Sequence, residues 1–273
     1  MDLIQSILMG IVQGLSEFLP ISSSAHLVFT SNFYKVFKGI EIVQETNQEV
    51  FLDIMLHLGT LIAVIIFFRK EIFAICKALI KRDKTNPDFR TGVYILIGTV
   101  VTVLIAFPLN EIAGGLVFKP AIVGLLLIFT GALLLFSEKI KNAKSDKITL
   151  KTSILIAIAQ GFAALPGFSR SGLTIATGLL NGVDRTTAAR YSFLLSIPII
   201  LGASMVYPLV KLDFAEVVTY NWTAIIAGTV VSGIVGYFCI KYFLKFVSKF
   251  SLAFFGYYCL VMGIVTAIFF WGK

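Results

Sequence analysis

The chain has 273 residues, of which 58% are apolar and 14% are charged. Average soluble domains are about 45–50% apolar and about 25% charged, so the composition excludes an ordinary soluble domain. The apolar stretches are long and continuous, which excludes the short alternating strands of a membrane β-barrel. The chain is therefore predicted to be an all-α, polytopic integral membrane protein.

The net charge and the cysteines point to no other class of protein. A net charge of +8 would suggest a nucleic-acid partner in a soluble protein. Here the basic residues cluster in loops between apolar spans, as membrane topology requires, so no nucleic-acid partner is predicted. Cys76, Cys239 and Cys259 are odd in number and lie in apolar surroundings, so we interpret them as reduced packing thiols.

The first element, residues 1–32, is apolar but is interrupted by the polar run QGLSEFLPISSSAH at residues 13–26. Pro20 lacks a backbone donor and disfavours helix in the residue before it, and the serines that follow suit a helix N-cap. The sequence therefore predicts a hairpin of two short helices. Gln13 and Glu17 share a helical face before the break.

Six segments are long enough to span a bilayer, namely 50–68, 91–108, 119–137, 186–209, 221–240 and 251–271. Loops rich in lysine and arginine alternate with loops that are poor in them. The positive-inside rule assigns the basic loops to the cytoplasm. These basic loops are 69–90, 138–151 and 241–249.

This alternation predicts that residues 1–32 and 152–181 are hairpins, re-entrant from opposite faces of the membrane. Each hairpin is followed by three spans, and an odd number inverts the second half relative to the first. We therefore expect a single membrane domain, 1–273, built from inverted repeat halves at about 1–137 and 148–273. Both termini are expected on the external side.

The second hairpin repeats the interruption of the first, in the run QGFAALPGFSRSGLT at residues 160–174. With Gln13 set on Gln160, the glycines that follow coincide, and so do two pairs of serines, without a gap. The second copy adds Arg170, a cation that lipid does not tolerate unpaired. Helix N-termini after both breaks, together with a guanidinium, predict a buried anion-binding site made from the two interrupted elements.

The polar residues around the breaks allow acid/base chemistry. Glu17 and His26 lie on opposite sides of the first break and form a plausible acid/base pair. Asp53 and His57, four residues apart, could also face the site. A helix cap and an interfacial histidine explain that pair at least as well. The competing explanation for the whole constellation is helix packing by polar side chains.

Four strings of the chain resemble a known family. The runs at 13–26 and 166–174 are similar to the two signature motifs of the undecaprenyl-diphosphatases, also called bacitracin-resistance proteins, and 51–60 and 188–198 resemble the family too. The likeness covers the whole chain. One departure is Gln13, where many members have glutamate.

The resemblance implies a membrane phosphatase that hydrolyses C55 polyprenyl diphosphate to the monophosphate carrier and phosphate. The carrier is reused in peptidoglycan synthesis, and bacitracin resistance follows because bacitracin sequesters the diphosphate. The family also implies the bacterial plasma (inner) membrane, a site open to the external or periplasmic side, and a divalent cation, Mg²⁺ or Ca²⁺. A homodimer is left open.

The resemblance also assigns roles to single residues. Arg170 would bind the diphosphate and stabilise charge in the transition state, Glu17 would orient the nucleophile or ligate the cation, and His26 would act as acid or base. Ser23 is the first choice as nucleophile, with activated water as the alternative. Residues expected to bind substrate are Gln13, Ser22, Ser24, Ser169, Ser171 and Thr174.

Two other classes of function remain. Inverted repeats with broken helices are typical of secondary transporters, so the chain could flip the polyprenyl monophosphate across the membrane. A purely structural membrane scaffold would not explain why an arginine and a glutamate lie at membrane depth. The enzyme is the leading interpretation.

Overall fold

The computed structural model describes residues 2–39, 46–116, 119–139, 145–211 and 214–270. Within these ranges the chain forms helices and no β-strand, with one isolated bridge between Ser145 and Val183. The all-α prediction is therefore confirmed. The helices are α1 Leu3–Ser16, α2 Ser23–Phe37, α3 Asn47–Phe67, α4 Arg69–Lys81, α5 Pro87–Leu116, α6 Pro120–Ser137, α7 Leu150–Phe162, α8 Arg170–Leu180, α9 Arg185–Lys211, α10 Phe214–Val217, α11 Trp222–Val247 and α12 Ala253–Phe270.

Six of the described helices are long and apolar enough to cross a bilayer, which makes the chain a multi-pass membrane protein. Their spanning segments are Asn47–Phe67, Pro87–Leu109, Pro120–Ser137, Arg185–Val206, Trp222–Val247 and Ala253–Phe270. All six predicted spans are confirmed. The short apolar helix α1 precedes all six spans, and the short apolar helix α7 lies between the third and the fourth. Each is followed by one more short helix, α2 or α8, and then by a span.

Two predicted loops are partly helical, and those assignments were wrong. Helix α4 occupies the first part of the predicted loop 69–90 and packs against α5, where a Cβ at Gly92 would lie 2.8–2.9 Å from Leu79 and Ile75. Charge counting missed α4 because its apolar residues recur with helical spacing among lysines and arginines. Helix α11 likewise continues to Val247 and includes Lys241 and Lys245.

The helices pack into two compact units. Unit 1 comprises Met1–Phe18, Ser23–Phe67 and Ile197–Lys241, and unit 2 comprises Leu19–Ser22, Phe68–Ser196 and Tyr242–Lys273. The four residues 19–22 of the first break therefore belong with unit 2, although the helices on either side of them belong to unit 1.

Unit 1 is held together by close approaches of α11 to α1 and α3. A Cβ at Gly10 of α1 would lie 2.5 Å from the carbonyl oxygen of Gly228, so only glycine allows this backbone contact. Small residues at helix interfaces are the usual means of packing in membranes, where water does not drive association. Leu52, Leu56 and Ile225 lie in the buried core beside this interface.

Unit 2 uses the same kind of contact between α6 and α12, where Gly124 and Gly131 face Gly263 and Gly256. At the end of α6, Glu138 accepts hydrogen bonds of 2.9 Å from both Arg185 Nε and the Leu252 backbone N–H. Burial works against ionisation, but these donors hold the pKa of Glu138 below its usual value. The carboxylate thus ties together the ends of three helices.

Candidate functional site

The first predicted break lies between α1 and α2 and is confirmed. Helix α1 ends at Ser16 with Glu17 as its C-cap residue, and α2 begins at Ser23. Pro20, inside the break, has no N–H to continue a helix. Ser22 has φ of 70°, a left-handed conformation that is uncommon for residues with a side chain.

The carboxylate of Glu17 is the centre of a polar network in unit 1. Its Oε2 accepts a hydrogen bond of 2.7 Å from Ser23 Oγ and one of 3.1 Å from Gln13 Nε2. Glu17 is 7% exposed and Gln13 is fully buried. A buried carboxylate is tolerated only when such donors replace the water it has lost.

Ser23 and Glu17 have the geometry of a nucleophile and its base. The distance of 2.7 Å falls within the range of about 2.6–3.2 Å expected for such a pair. Gln13 orients the carboxylate from one helical turn before it. The same contact serves an attacking water molecule equally well, since Glu17 would accept its proton in place of the serine proton.

His57, which the sequence left undecided, lies beside the same carboxylate. Its Nε2 is 3.6 Å from Glu17 Oε2, and its Nδ1 is 2.7 Å from the carbonyl oxygen of Asp53. From their spacing alone, Asp53 and His57 could belong to the functional site or lie at the membrane–water interface. The choice depends on the contact with α1, which only the folded chain shows.

His26, the predicted acid/base residue, lies on the first turn of α2, three residues after Ser23. Its ring is half-buried and meets Phe29 edge-on at 6.3 Å between centroids. Ser22 is buried and Ser24 is half-buried at the same helix start. The roles assigned to these three residues stay predictions.

The residues around Glu17 fit a divalent cation in part. Among the described residues, no group of three or more histidine, cysteine, aspartate or glutamate side chains could hold a metal. However, the buried Oε1 of Gln13 has no hydrogen-bond partner in the described part of the chain. An amide oxygen and a carboxylate are ligands that suit Mg²⁺, which usually completes its shell with water and substrate phosphates.

The second predicted break, between α7 and α8 in unit 2, is also confirmed. Helix α7 ends at Phe162, and α8 begins at Arg170 with Ser169 as its N-cap. The Ser169 Oγ accepts a hydrogen bond of 3.1 Å from the Gly172 N–H. Gly167 has φ of 100°, and a Cβ there would run into the carbonyl oxygen of Val123, so this turn requires glycine.

Arg170 occupies the first position of α8, where the helix dipole is positive. A guanidinium is disfavoured at that end of a helix unless an anion is bound there. The residue as a whole is half-buried, and its Nη1 atom is buried. The position therefore favours a phosphate ligand, which can accept hydrogen bonds both from backbone N–H groups and from the bidentate guanidinium.

Residues of both breaks contact each other within unit 2. The Ser171 Oγ donates a hydrogen bond of 3.0 Å to the carbonyl oxygen of Leu19, and Cys259 Sγ lies 3.3 Å from the carbonyl oxygen of Pro20. The Ser169 N–H donates to Thr130 Oγ1 at 3.2 Å. Three backbone groups of the breaks are thus bonded to side chains within unit 2, as the interior of a membrane protein requires.

Thr174, predicted to bind substrate, is fully buried on α8. Its hydroxyl lies 2.6 Å from Ser192 Oγ and donates a hydrogen bond of 2.7 Å to the carbonyl oxygen of Arg170. These contacts fasten the first turn of α8 to α9. The sequence offered no signal for this pairing, because Ser192 lies in a different helix.

Comparison with known proteins finds relatives along the full length. The family described as "Bacitracin resistance protein BacA" matches residues 6–265. An undecaprenyl-diphosphatase of Methanobrevibacter smithii is 39% identical over 97% of both chains. One of Halothermothrix orenii is 38% identical over 98% of both, and one of Treponema denticola is 35% identical over 100% of this chain and 99% of its own.

The paired hydroxyls of Thr174 and Ser192 generate a stability prediction. Thr174→Val should destabilise the protein by about 1–3 kcal/mol, because it leaves the Ser192 hydroxyl buried without this partner. Adding Ser192→Ala should recover part of the loss, since both polar groups are then absent. Thermal unfolding in detergent measures this, with Thr177→Val on the same helix as the control. Purely additive losses would contradict the pairing.

Proposed function

The chain belongs to the bacitracin resistance protein BacA family, and from this premise we propose that it hydrolyses undecaprenyl diphosphate to undecaprenyl phosphate and phosphate. The observation that carries the proposal is the hydrogen bond of 2.7 Å between Ser23 Oγ and the buried carboxylate of Glu17. It provides a nucleophile-and-base pair in a chain whose relatives are named for this hydrolysis. Recycling of the lipid carrier and bacitracin resistance follow from the activity.

The reaction is a displacement at the terminal phosphorus. An oxygen, from Ser23 or from water, forms a bond to that phosphorus while its proton passes to Glu17, and the bond to the bridging oxygen breaks. Undecaprenyl phosphate leaves with the bridging oxygen. If Ser23 attacks, water then hydrolyses the phosphoserine and restores the hydroxyl.

Arg170 and the start of α8 serve the phosphate. Phosphoryl transfer depends mainly on positioning and on stabilisation of charge at the phosphate oxygens. The guanidinium can donate hydrogen bonds to two of these oxygens, and the N–H groups of the first turn of α8 can donate to another. Gln13, Ser22, Ser24, Ser169 and Ser171 are proposed to hold substrate oxygens, and His26 is proposed to protonate the leaving group.

The proposed location is the plasma membrane, with the site and both termini on the external side. Alternating basic and charge-poor loops support this orientation. The repeat is supported by the matching glycines: a Cβ at Gly14 in unit 1 and at Gly161 in unit 2 would each meet a helix backbone oxygen. Phosphate release from substrate offered to each face of a sealed vesicle tests the orientation.

The proposed partners are the lipid substrate and the bilayer. The proposal includes no nucleic-acid partner, and a homodimer is compatible with it.

The activity is tested with Arg170→Ala. Purified wild-type protein in detergent should release phosphate from undecaprenyl diphosphate, and the variant should lose about 10³-fold or more in kcat/KM. Arg90→Ala is the matched control, because it removes an exposed guanidinium from the start of α5, outside the proposed site. Transport of the monophosphate without phosphate release would identify a transporter instead. Wild-type kcat/KM in Arg170→Ala would refute the assignment of Arg170.

The nucleophile is tested with Ser23→Ala. If the serine attacks, kcat should fall by several orders of magnitude and no phosphoenzyme should form on rapid mixing. If water attacks, the loss should stay within about 10-fold, the scale of one hydrogen bond of roughly 1.5 kcal/mol. Ser31→Ala, a buried serine further along α2, controls for the removal of a hydroxyl from this helix.

A divalent cation is proposed to bind Glu17 together with Gln13 Oε1. When bound, Mg²⁺ or Ca²⁺ neutralises charge on the diphosphate. Removal of divalent ions with a chelator should abolish phosphate release, and Mg²⁺ or Ca²⁺ should restore it. Gln13→Glu should bind Mg²⁺ more tightly, because it replaces a neutral oxygen ligand with a charged one. Full activity of metal-free protein would exclude the cation.

A further inference from the structure

His57 lies far from either end of its helix. It is the tenth residue after Asn47, the first residue of α3, which corresponds to about 15 Å along a helix of about 30 Å. The interfacial explanation therefore does not hold, because an interfacial histidine lies in the first or last turn of a span. An ionisable side chain in the middle of a spanning helix is expected to serve a function.

The ring of His57 is held in one orientation. Its Nδ1 is 2.7 Å from the carbonyl oxygen of Asp53, and a carbonyl oxygen only accepts, so Nδ1 carries the hydrogen and donates it. This bond directs Nε2 towards Glu17 Oε2, at 3.6 Å, where Nε2 can donate to the carboxylate only in the imidazolium form, with both ring nitrogens protonated. That distance is too long for a hydrogen bond and too short for an intervening water molecule. Contacts of this kind in ligand-free sites shorten when substrate binds.

The backbone beneath the ring is also fixed within unit 1. Thr60 Oγ1 donates to the carbonyl oxygen of His57 at 2.9 Å, and Ser232 Oγ of α11 donates to that of Leu56 at 2.8 Å. Leu56 is fully buried, and Gly59 faces Thr229 of α11 without room for a Cβ. His57 therefore extends from a part of α3 that packs closely against α11.

Gln13, Ser23 and His57 all lie beside Glu17 Oε2, but they differ in how well each can fix the position of the carboxylate. Gln13 belongs to the same short helix as Glu17, so it cannot fix the carboxylate relative to any other helix. Ser23 changes its bonding if it reacts. His57 is the one of the three that links the carboxylate to a spanning helix.

We propose that His57 is a positioning residue for Glu17. It holds the carboxylate, which lies at the end of α1, in the orientation in which Oε2 can take a proton from the attacking group. The inference rests on the proposed phosphatase function. It requires the imidazolium form of His57, whose Nε2–H can donate to Glu17 Oε2. It adds a residue of α3 to the groups on α1 and α2 that take part in the reaction.

The test compares His57→Leu, His57→Gln and wild type. His57→Leu should lower kcat by about 10–100-fold, the usual effect of removing an orienting partner, with little change in KM. His57→Gln should recover most of the loss, because its amide nitrogen can take the place of Nε2. In a Glu17→Gln background, His57→Leu should cause no further loss, since residues that act as a unit are not additive.

Met55→Leu on the same helix is the control, and thermal unfolding in detergent checks that every variant is folded. A fall in stability with equal changes in kcat and KM would mean that His57 serves packing only. Wild-type kcat in His57→Leu, or an undiminished loss in the Glu17→Gln background, would overturn the inference. If wild-type protein releases no phosphate, the proposed function fails instead, and the two failures are distinct.

Discussion

The buried carboxylate of Glu17 is the constraint on which the arrangement of unit 1 depends. An ionised group in an apolar interior is strongly destabilising unless donors replace its hydration. The fold supplies two such donors, Gln13 from the preceding turn and Ser23 from the next helix, and it places His57 of a spanning helix 3.6 Å from the same oxygen. Helices α1, α2 and α3 must therefore meet at one oxygen atom. The same convergence that lowers the cost of burial also orients the carboxylate for proton transfer.

The irregular backbone of the two breaks imposes a second requirement. A membrane interior offers no water to the N–H and C=O groups that leave a helix, so protein side chains must bond them. In unit 2, Ser171 bonds the carbonyl oxygen of Leu19, and Thr130 accepts from the N–H of Ser169. Serine and threonine in these runs therefore have two possible tasks, backbone satisfaction and ligand binding. Ser171 and Thr174 perform the first task in this structure, so each would have to exchange a backbone hydrogen bond in order to donate to a substrate oxygen.

The sequence was sufficient where the signal is local and insufficient where it is not. Spans follow from runs of apolar residues, and both breaks follow from Pro20 and Pro166 with the serines after them, so these predictions were confirmed. Helix α4 was missed because its charged residues were counted as a loop, without regard to the helical spacing of the apolar residues among them. The role of His57 could not be assigned from its spacing, because that role depends on a contact with Glu17, forty residues earlier in the chain. Contacts between helices are set by packing, which a single sequence does not display.

Gln13 and Gln160 show how equal positions take on different tasks under the proposed repeat. Each amide is buried and donates through Nε2, and in the described part of the chain each Oε1 accepts no hydrogen bond. The recipient is the carboxylate of Glu17 in unit 1 and the hydroxyl of Thr102 in unit 2. A carboxylate attracts protons and cations, whereas a hydroxyl attracts neither strongly. The position four residues after Gln160 is alanine, so unit 2 keeps the buried amide but has no carboxylate there to repel a phosphate. That absence is compatible with Arg170 at the start of α8, because a neighbouring carboxylate would compete with the phosphate for the guanidinium.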